Sequence, residues 1–227
     1  MSLYLDYNAS APILPEVLDT MIEAYKNTPG NADSRTHIYG TNAQKLVNES
    51  RASIASVLGV DPSEIIFTSG STESNNTVIL GIQEYANQTG KKHIVTTAIE
   101  HKAILNSCAA MEKIGCTVTI LPVDKCGAVN PVDLKEKILP QTKIISVMLA
   151  NNEVGTIQPI KSLAEIAHAA EKIFHTDAVQ AVGHIPVDVK FLGVDVLSAS
   201  AHKFNGPKGI GFLYVRDGLK LLPYIDG

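Results

Sequence analysis

Three adjoining pieces of chain decide the fold: Lys143-Ile144-Ile145-Ser146-Val147-Met148, the segment from Ile160 to Lys172, and Ile173-Phe174-His175-Thr176. The first and last are short, rich in β-branched residues and bounded by polar turns, as strands buried in a sheet are. Between them Leu163, Ile166, Ala167 and Ala170 recur at steps of three and four residues, which places them on one helix face. Strand, helix, strand in this rhythm implies a right-handed crossover above a parallel sheet.

Outward from this unit the rhythm repeats. Apolar runs occur at Ile65-Ile66-Phe67-Thr68, His93-Ile94-Val95-Thr96-Thr97, Thr117-Val118-Thr119-Ile120-Leu121, Val194-Asp195-Val196-Leu197-Ser198 and Gly209-Ile210-Gly211-Phe212-Leu213-Tyr214-Val215, making seven expected strands. Helical periods fall at Ser74 to Gln88, Lys102 to Ile114 and Pro131 to Leu139. The glycine-rich link Asn205 to Gly211 is too short for a crossover helix, so one strand near the end is expected to run antiparallel. The fold class is α/β, with a mostly parallel seven-stranded sheet and helices on both faces. The first 60 residues differ: Tyr4-Leu5-Asp6-Tyr7 is extended, a helix runs from about Pro15 to Tyr25, a turn follows at Thr28-Pro29-Gly30-Asn31, and a second helix ends near Gly59. Residues 1–20 read as an N-terminal arm and 21–227 as the large domain.

Composition narrows the function. With 19 Lys plus Arg against 23 Asp plus Glu the formal charge is −4, which argues against nucleic acid as a partner because phosphate contacts need a basic face. No apolar run reaches the ~18 residues of a membrane span, and the N-terminus meets Asp6 before a signal-peptide core can form, so the expectation is no membrane partner and a cytoplasmic location. Cys108, Cys116 and Cys126 form no C-x-x-C pair and have no histidine at zinc-finger spacing, which speaks against a disulfide framework or a bound metal. No repeat or low-complexity tract is visible.

In an open parallel sheet, ligands sit beyond the carboxyl ends of the strands, and here those positions are polar. After the first run comes Thr68-Ser69-Gly70-Ser71-Thr72-Glu73, a glycine turn opening a helix, where free N–H groups and the helix dipole favour a phosphate. An ordinary N-cap explains that turn equally well by itself, and no Gly-Lys-Ser/Thr follows as in a Walker A loop. After the second run, His101 sits at a strand-to-helix corner. After the fourth, Asn151-Asn152-Glu153-Val154-Gly155 offers side-chain amides, or simply Asx turns. The fifth ends in His175-Thr176-Asp177-Ala178-Val179-Gln180; an aspartate buried there would cost several kcal/mol without a partner, so a cation is expected beside it. The sixth leads into Ser200-Ala201-His202-Lys203, where a lysine with a lowered pKa can serve as a Schiff-base amine. The glycines Gly206, Gly209 and Gly211 run in the reverse order of the dinucleotide fingerprint, and no G-x-S-x-G elbow is present. A phosphate cradle, an imidazole, an amide, an acid and a lysine at five strand ends are together the parts that hold pyridoxal phosphate.

These stretches, with Tyr4-Leu5-Asp6-Tyr7-Asn8-Ala9, Gly30-Asn31-Ala32-Asp33-Ser34-Arg35, Glu100-His101-Lys102 and Phe204-Asn205-Gly206-Pro207-Lys208-Gly209, run in order through nearly the whole chain, which resembles the cysteine desulfurases of the NifS/IscS group within the class V, fold-type I pyridoxal-phosphate enzymes. The resemblance implies a fold-type I large domain in which Lys203 carries the cofactor as an imine and Asp177 pairs with the pyridinium nitrogen. It implies further that His101 stacks on the ring and moves protons, that Gln180 and Asn152 lie near the ring hydroxyl, and that Ser71, Thr72, Ser200 and His202 hold the phosphate. The activity implied is conversion of L-cysteine to L-alanine with sulfur passed on as an enzyme persulfide, in a homodimer that serves a sulfur-acceptor protein.

Two departures stand out. Relatives continue into a smaller C-terminal domain that supplies the nucleophilic cysteine, an arginine and a threonine, whereas this sequence stops at Gly227, so the expectation is a cofactor domain with the small domain absent. Another class V activity, such as an aminotransferase or selenocysteine lyase, or a non-catalytic remnant, therefore stands beside the desulfurase. Glu171-Lys172 replaces a helix-ending glycine of the relatives, which predicts an altered turn before the fifth strand.

Overall fold

In the computed structural model, which describes residues 3–222 and 225, the apolar runs form strands β1 Ile65–Thr68, β2 His93–Thr97, β3 Thr117–Leu121, β4 Thr142–Ser146, β5 Ile173–Asp177, β6 Val196–Ser200 and β7 Gly211–Val215. They make one seven-stranded sheet in the order β1-β7-β6-β5-β4-β2-β3. Every pairing among β2 to β6 is parallel, as is β2 with β3; only β7 runs against its neighbours, lying antiparallel between β6 and β1. The short glycine link thus does what its length requires.

Side chains alternate across the strands and feed two cores. Val95, Ile145, Phe174, Leu197, Phe212 and Tyr214 point to one face, and Ile94, Ile144, Val196, Leu213 and Val215 to the other. The first face is covered by Ala55 and Leu58 of α2 (Ile38–Leu58), Leu134 of α6 (Pro131–Lys137), Leu163 and Ala167 of α7 (Ile160–Ala169), and α8 (Val189–Leu192). The second lies under α3 (Ser71–Leu80), α4 (Gln83–Thr89) and α5 (Lys102–Lys113), through Val78, Ile79, Ala86, Ile104, Cys108 and Met111. Each fully buried Ile or Phe contributes about 1.5–3 kcal/mol. The expected α/β sheet with helices on both faces is therefore present.

Several bounds differ for physical reasons. The expected helix Ser74 to Gln88 is two helices, because Gly81 ends α3 and a second helix starts after Ile82. β6 starts two residues later than expected, since Asp195 turns its carboxylate to the Phe174 amide, and Ala199 and Ser200 extend the strand against Phe212 and Gly211. Helix α1 (Pro15–Asn27) runs through residue 20, where the arm was divided from the large domain, and buries none of its residues.

Candidate active site

Because the six strands other than β7 point the same way, their carboxyl ends gather along one edge, and a cavity of about 410 Å³ opens there. It is lined by Ser71 and Thr72 after β1, His101 after β2, Met148 and Asn152 after β4, Asp177, Val179 and Gln180 at the end of β5, His202 and Lys203 after β6, and Asp6, Asn8 and Ala9 from the N-terminal arm. Eight of the nine residues singled out in the sequence thus share one cavity. Ser200 is the ninth; it is buried at the end of β6, and its Oγ lies behind Gly70.

Asp177 forms the floor and is only 3% exposed. Its Oδ2 accepts from Asn75 Nδ2 at 2.7 Å and its Oδ1 from the Val179 N–H at 3.0 Å. Burial pushes its carboxyl above the ordinary range, while these two donors and the charges of His101 and Lys203 pull it back. The cation expected beside it is thus near enough to act electrostatically, yet the bonded partner is an amide. Asn75 lies one turn after Ser71 on α3, a spacing that marks it as a neighbour of the Gly70 turn but does not reveal its partner.

Lys203 sits in the short 3₁₀ turn Ala201–Lys203, and its Nζ donates to the Asn8 carbonyl at 2.5 Å. Gln180 Nε2 donates to the same oxygen at 2.9 Å. Partial burial lowers the Lys203 pKa, against the raising effects of Asp177 and Asp6, so the amine is easier to deprotonate than a surface lysine. The arm is held over it by Ala11 N–H donating to His202 O at 2.9 Å and Leu14 N–H to Asn205 O at 3.1 Å. This wall was not legible beforehand, since residues 4 to 9 carry no periodic pattern that shows where they dock.

The turn after β1 depends on Gly70, whose φ of 152° is open only to glycine. There the chain comes so close to β7 that a Cβ on Gly211 would stand 2.8 Å from Gly70 Cα. Ser71 opens α3, a helix of 10 residues, so the amides of its first turn face the cavity edge without helical partners. Opposite them, His101 is the N-cap of α5: its Nδ1 accepts from the Ala103 N–H at 3.1 Å, which places the neutral ring's N–H on Nε2. Cys108 and Cys116 are buried, Cys126 is exposed, and none of the three lines the cavity. Among the described residues no cluster of side chains is suited to hold a metal ion.

This geometry has close counterparts. A family model described as aminotransferase class-V matches residues 3–223. The cysteine desulfurase IscS of Dictyoglomus turgidum is 50% identical over 225 residues, covering 99% of this chain and 57% of the relative. IscS of Methanosarcina thermophila is 48% identical over 226 residues, covering 100% and 55%. Among solved structures, a NifS-like protein superposes with a TM-score of 0.96 at 41% identity, covering 100% of this chain and 62% of that one. SspA in complex with cysteine gives 0.96 at 40% identity, covering 100% and 65%. The chain spans a little more than half the length of the curated relatives it matches.

Proposed function

This chain belongs to the class-V aminotransferase family, and from that premise we propose that its cavity holds pyridoxal phosphate in a cysteine desulfurase, which converts L-cysteine to L-alanine and passes the sulfur on as a persulfide. One observation carries the reading: a buried, amide-bonded carboxylate, Asp177, and an amine of lowered pKa, Lys203, line the same cavity. The donor set fits the cofactor. Asp177 would pair with a ring N–H, and the first turn of α3 with Ser71, Thr72 and His202 would take the phosphate, Ser200 supporting the turn from behind Gly70. Asn152 and Gln180 would hold the ring hydroxyl.

When bound, pyridoxal phosphate supplies an electron-withdrawing ring that stabilises negative charge on the substrate's α-carbon. The chain's residues do the rest. Asp177, fixed by Asn75 and Val179, would accept from the ring N–H and balance its charge. Lys203, whose Nζ is aimed into the cavity by its bond to Asn8 O, would hold the cofactor through its aldehyde carbon. His101, oriented by its Nδ1 cap, would present an Nε2–H donor to the group held there, and would take a proton at Nε2 only once the Ala103 cap is released. The sulfur-accepting thiol is not among the residues lining the cavity.

The test is to add pyridoxal phosphate to the protein and to Lys203→Ala. A visible absorption band and borohydride-trapped cofactor are expected in the parent and not in the variant; trapping on another lysine would overturn the assignment. Asp177→Asn is expected to keep some cofactor with an altered band, and an unaltered band would count against the ring-nitrogen pairing. Alanine formed from L-cysteine supports the desulfurase, whereas amino-group transfer to a 2-oxo acid without sulfur release supports an aminotransferase. A homodimer, a sulfur-acceptor partner and a cytoplasmic location are part of the same proposal; among the described residues no helix is long and apolar enough to cross a membrane.

A further inference from the structure

Glu100 and Asn151 are buried polar residues with no part in the cofactor reading, and each immediately precedes a residue that lines the cavity, His101 and Asn152. Glu100 Oε1 accepts from the Met148 N–H at 2.8 Å and from the Thr97 hydroxyl at 2.7 Å. Asn151 Nδ2 donates in the other direction, to Ile99 O at 3.0 Å, while its Oδ1 accepts from the Glu153 and Val154 amides, each at 2.9 Å. The corner after β2 is thereby tied twice to the chain leaving β4. The Leu149 N–H carries the tie onward to Asp177 O at 2.9 Å.

Backbone pairing does not do this work. The β2–β4 register runs His93↔Thr142, Ile94↔Ile144, Val95↔Ile145, and goes no further. Beyond Val95 the twist of the sheet would carry the two strand ends apart, and two side chains stand where ladder bonds would otherwise be.

We propose that Glu100 and Asn151 are positioning residues of the cavity, setting the spacing between His101 on one wall and Asn152 on the other. Glu100 acts as a neutral acid. Its Oε2 is buried with no hydrogen-bond partner, its carboxyl lies near Asp177 and Cys108, and burial pushes its pKa up to about 8. A carboxamide therefore reproduces it at neutral pH.

The experiment compares Glu100→Gln, Glu100→Ala and Asn151→Asp with the parent by two readouts. One is the ring-proton resonance of His101 in the cofactor-free protein, assigned with His101→Gln; the other is the Kd for pyridoxal phosphate, which rests on the proposed cofactor site. Glu100→Ala, which removes the bonds to Met148 and Thr97, is expected to shift the His101 resonance and raise the Kd about tenfold. Glu100→Gln, which keeps the acceptor oxygen, is expected to match the parent in both. Asn151→Asp keeps the Oδ1 bonds but loses the donor to Ile99 O, so it too is expected to move His101, and it decides the matter if Glu100→Ala does not fold. An unmoved His101 in folded Glu100→Ala or Asn151→Asp overturns the inference, as does Glu100→Gln behaving like Glu100→Ala. If the parent binds no cofactor, the functional reading fails, and the His101 resonance still decides the positioning role.

Discussion

His175 and Glu100, both buried at the sheet, pull the stability of the cofactor-free chain in opposite pH directions. His175 stands between Ser146 Oγ and Ser198 Oγ, each 2.9 Å from a ring nitrogen, and burial pushes its pKa down to about 3 from 6.5. Its stabilising share is complete above pH 6.5 and is lost as pH falls toward 3, because the unfolded ring takes up a proton that the folded ring refuses. Glu100 has the reverse sign: raised to about 8 from 4.5, its share is complete below pH 4.5 and lost as pH rises to about 8. From 4.5 to 6.5 the two slopes oppose each other. Glu100→Gln has no proton to lose, so its Tm is expected to rise relative to the parent as pH goes from 6.5 to 8; parallel Tm curves would show that the acid is not neutral in the fold. Much of the cavity at this scale was legible in the sequence. Ser71, His101, Asp177 and Lys203 stand just past or at the end of apolar runs, and topology alone brings such ends together. Asn75, Met148 and the arm residues were not, since their roles depend on long-range docking that local pattern does not encode.

At the scale of elements, α7 ends in a left-handed residue that is not glycine. Glu171 has φ 56°, its N–H donates to His168 O and the Lys172 N–H to Ala167 O, both at 2.9 Å, which is a Schellman ending with glutamate at the left-handed position. The altered turn expected from the sequence is thus the usual glycine turn with a strained residue in it. Glu171→Gly is expected to stabilise the chain by about 1 kcal/mol in denaturant unfolding; no gain would mean that the glutamate is held there by a compensating interaction. A second element-scale feature had no sequence signal. Asp195, 1% exposed, accepts from Arg216 Nε at 2.7 Å, His168 Nε2 at 3.0 Å and the Phe174 N–H at 2.8 Å, joining α7, β5 and the segments flanking β6 and β7. Asp195→Ala is expected to cost about 1–3 kcal/mol, because its partners Arg216 and His168 are half exposed but the buried Phe174 N–H is left unpaired. A change under about 1 kcal/mol would show the cluster to be solvated. Strands β1, β2 and β3 fell where their runs predicted because polar turns bound them on both sides, whereas α8, four residues long, is shorter than the window over which a helical period shows.

Across the described residues, one continuous run of exposed apolar side chains lies within residues 3–25. Leu14, Leu18, Ile22 and Tyr25 are all exposed and recur along α1 and its N-cap at steps of three and four, continuing toward exposed Leu3, Tyr4, Leu5 and Tyr7. The proposed homodimer gives this stripe a use. Leu18→Glu with Ile22→Glu is expected to change the unfolding free energy by no more than about 0.5 kcal/mol, because neither side chain is in a core. The same pair is expected to lower the mass measured by sedimentation. An unchanged mass would remove the arm from the interface.

The place of β7 also governs the order in which the sheet can be completed on the ribosome. β1 pairs with β7 alone, Thr68 against Gly211, so a nascent chain that has already exposed β1 must keep its edge unpaired until almost the entire sheet has been translated. The parallel block β2 to β6 can assemble as it emerges, while β1 and the Ser71 turn behind it wait for the last strand. Chains interrupted before Gly211 would thus lack the corner that Ser71 forms even with Lys203 already made, and would present an open strand to chaperones or to one another.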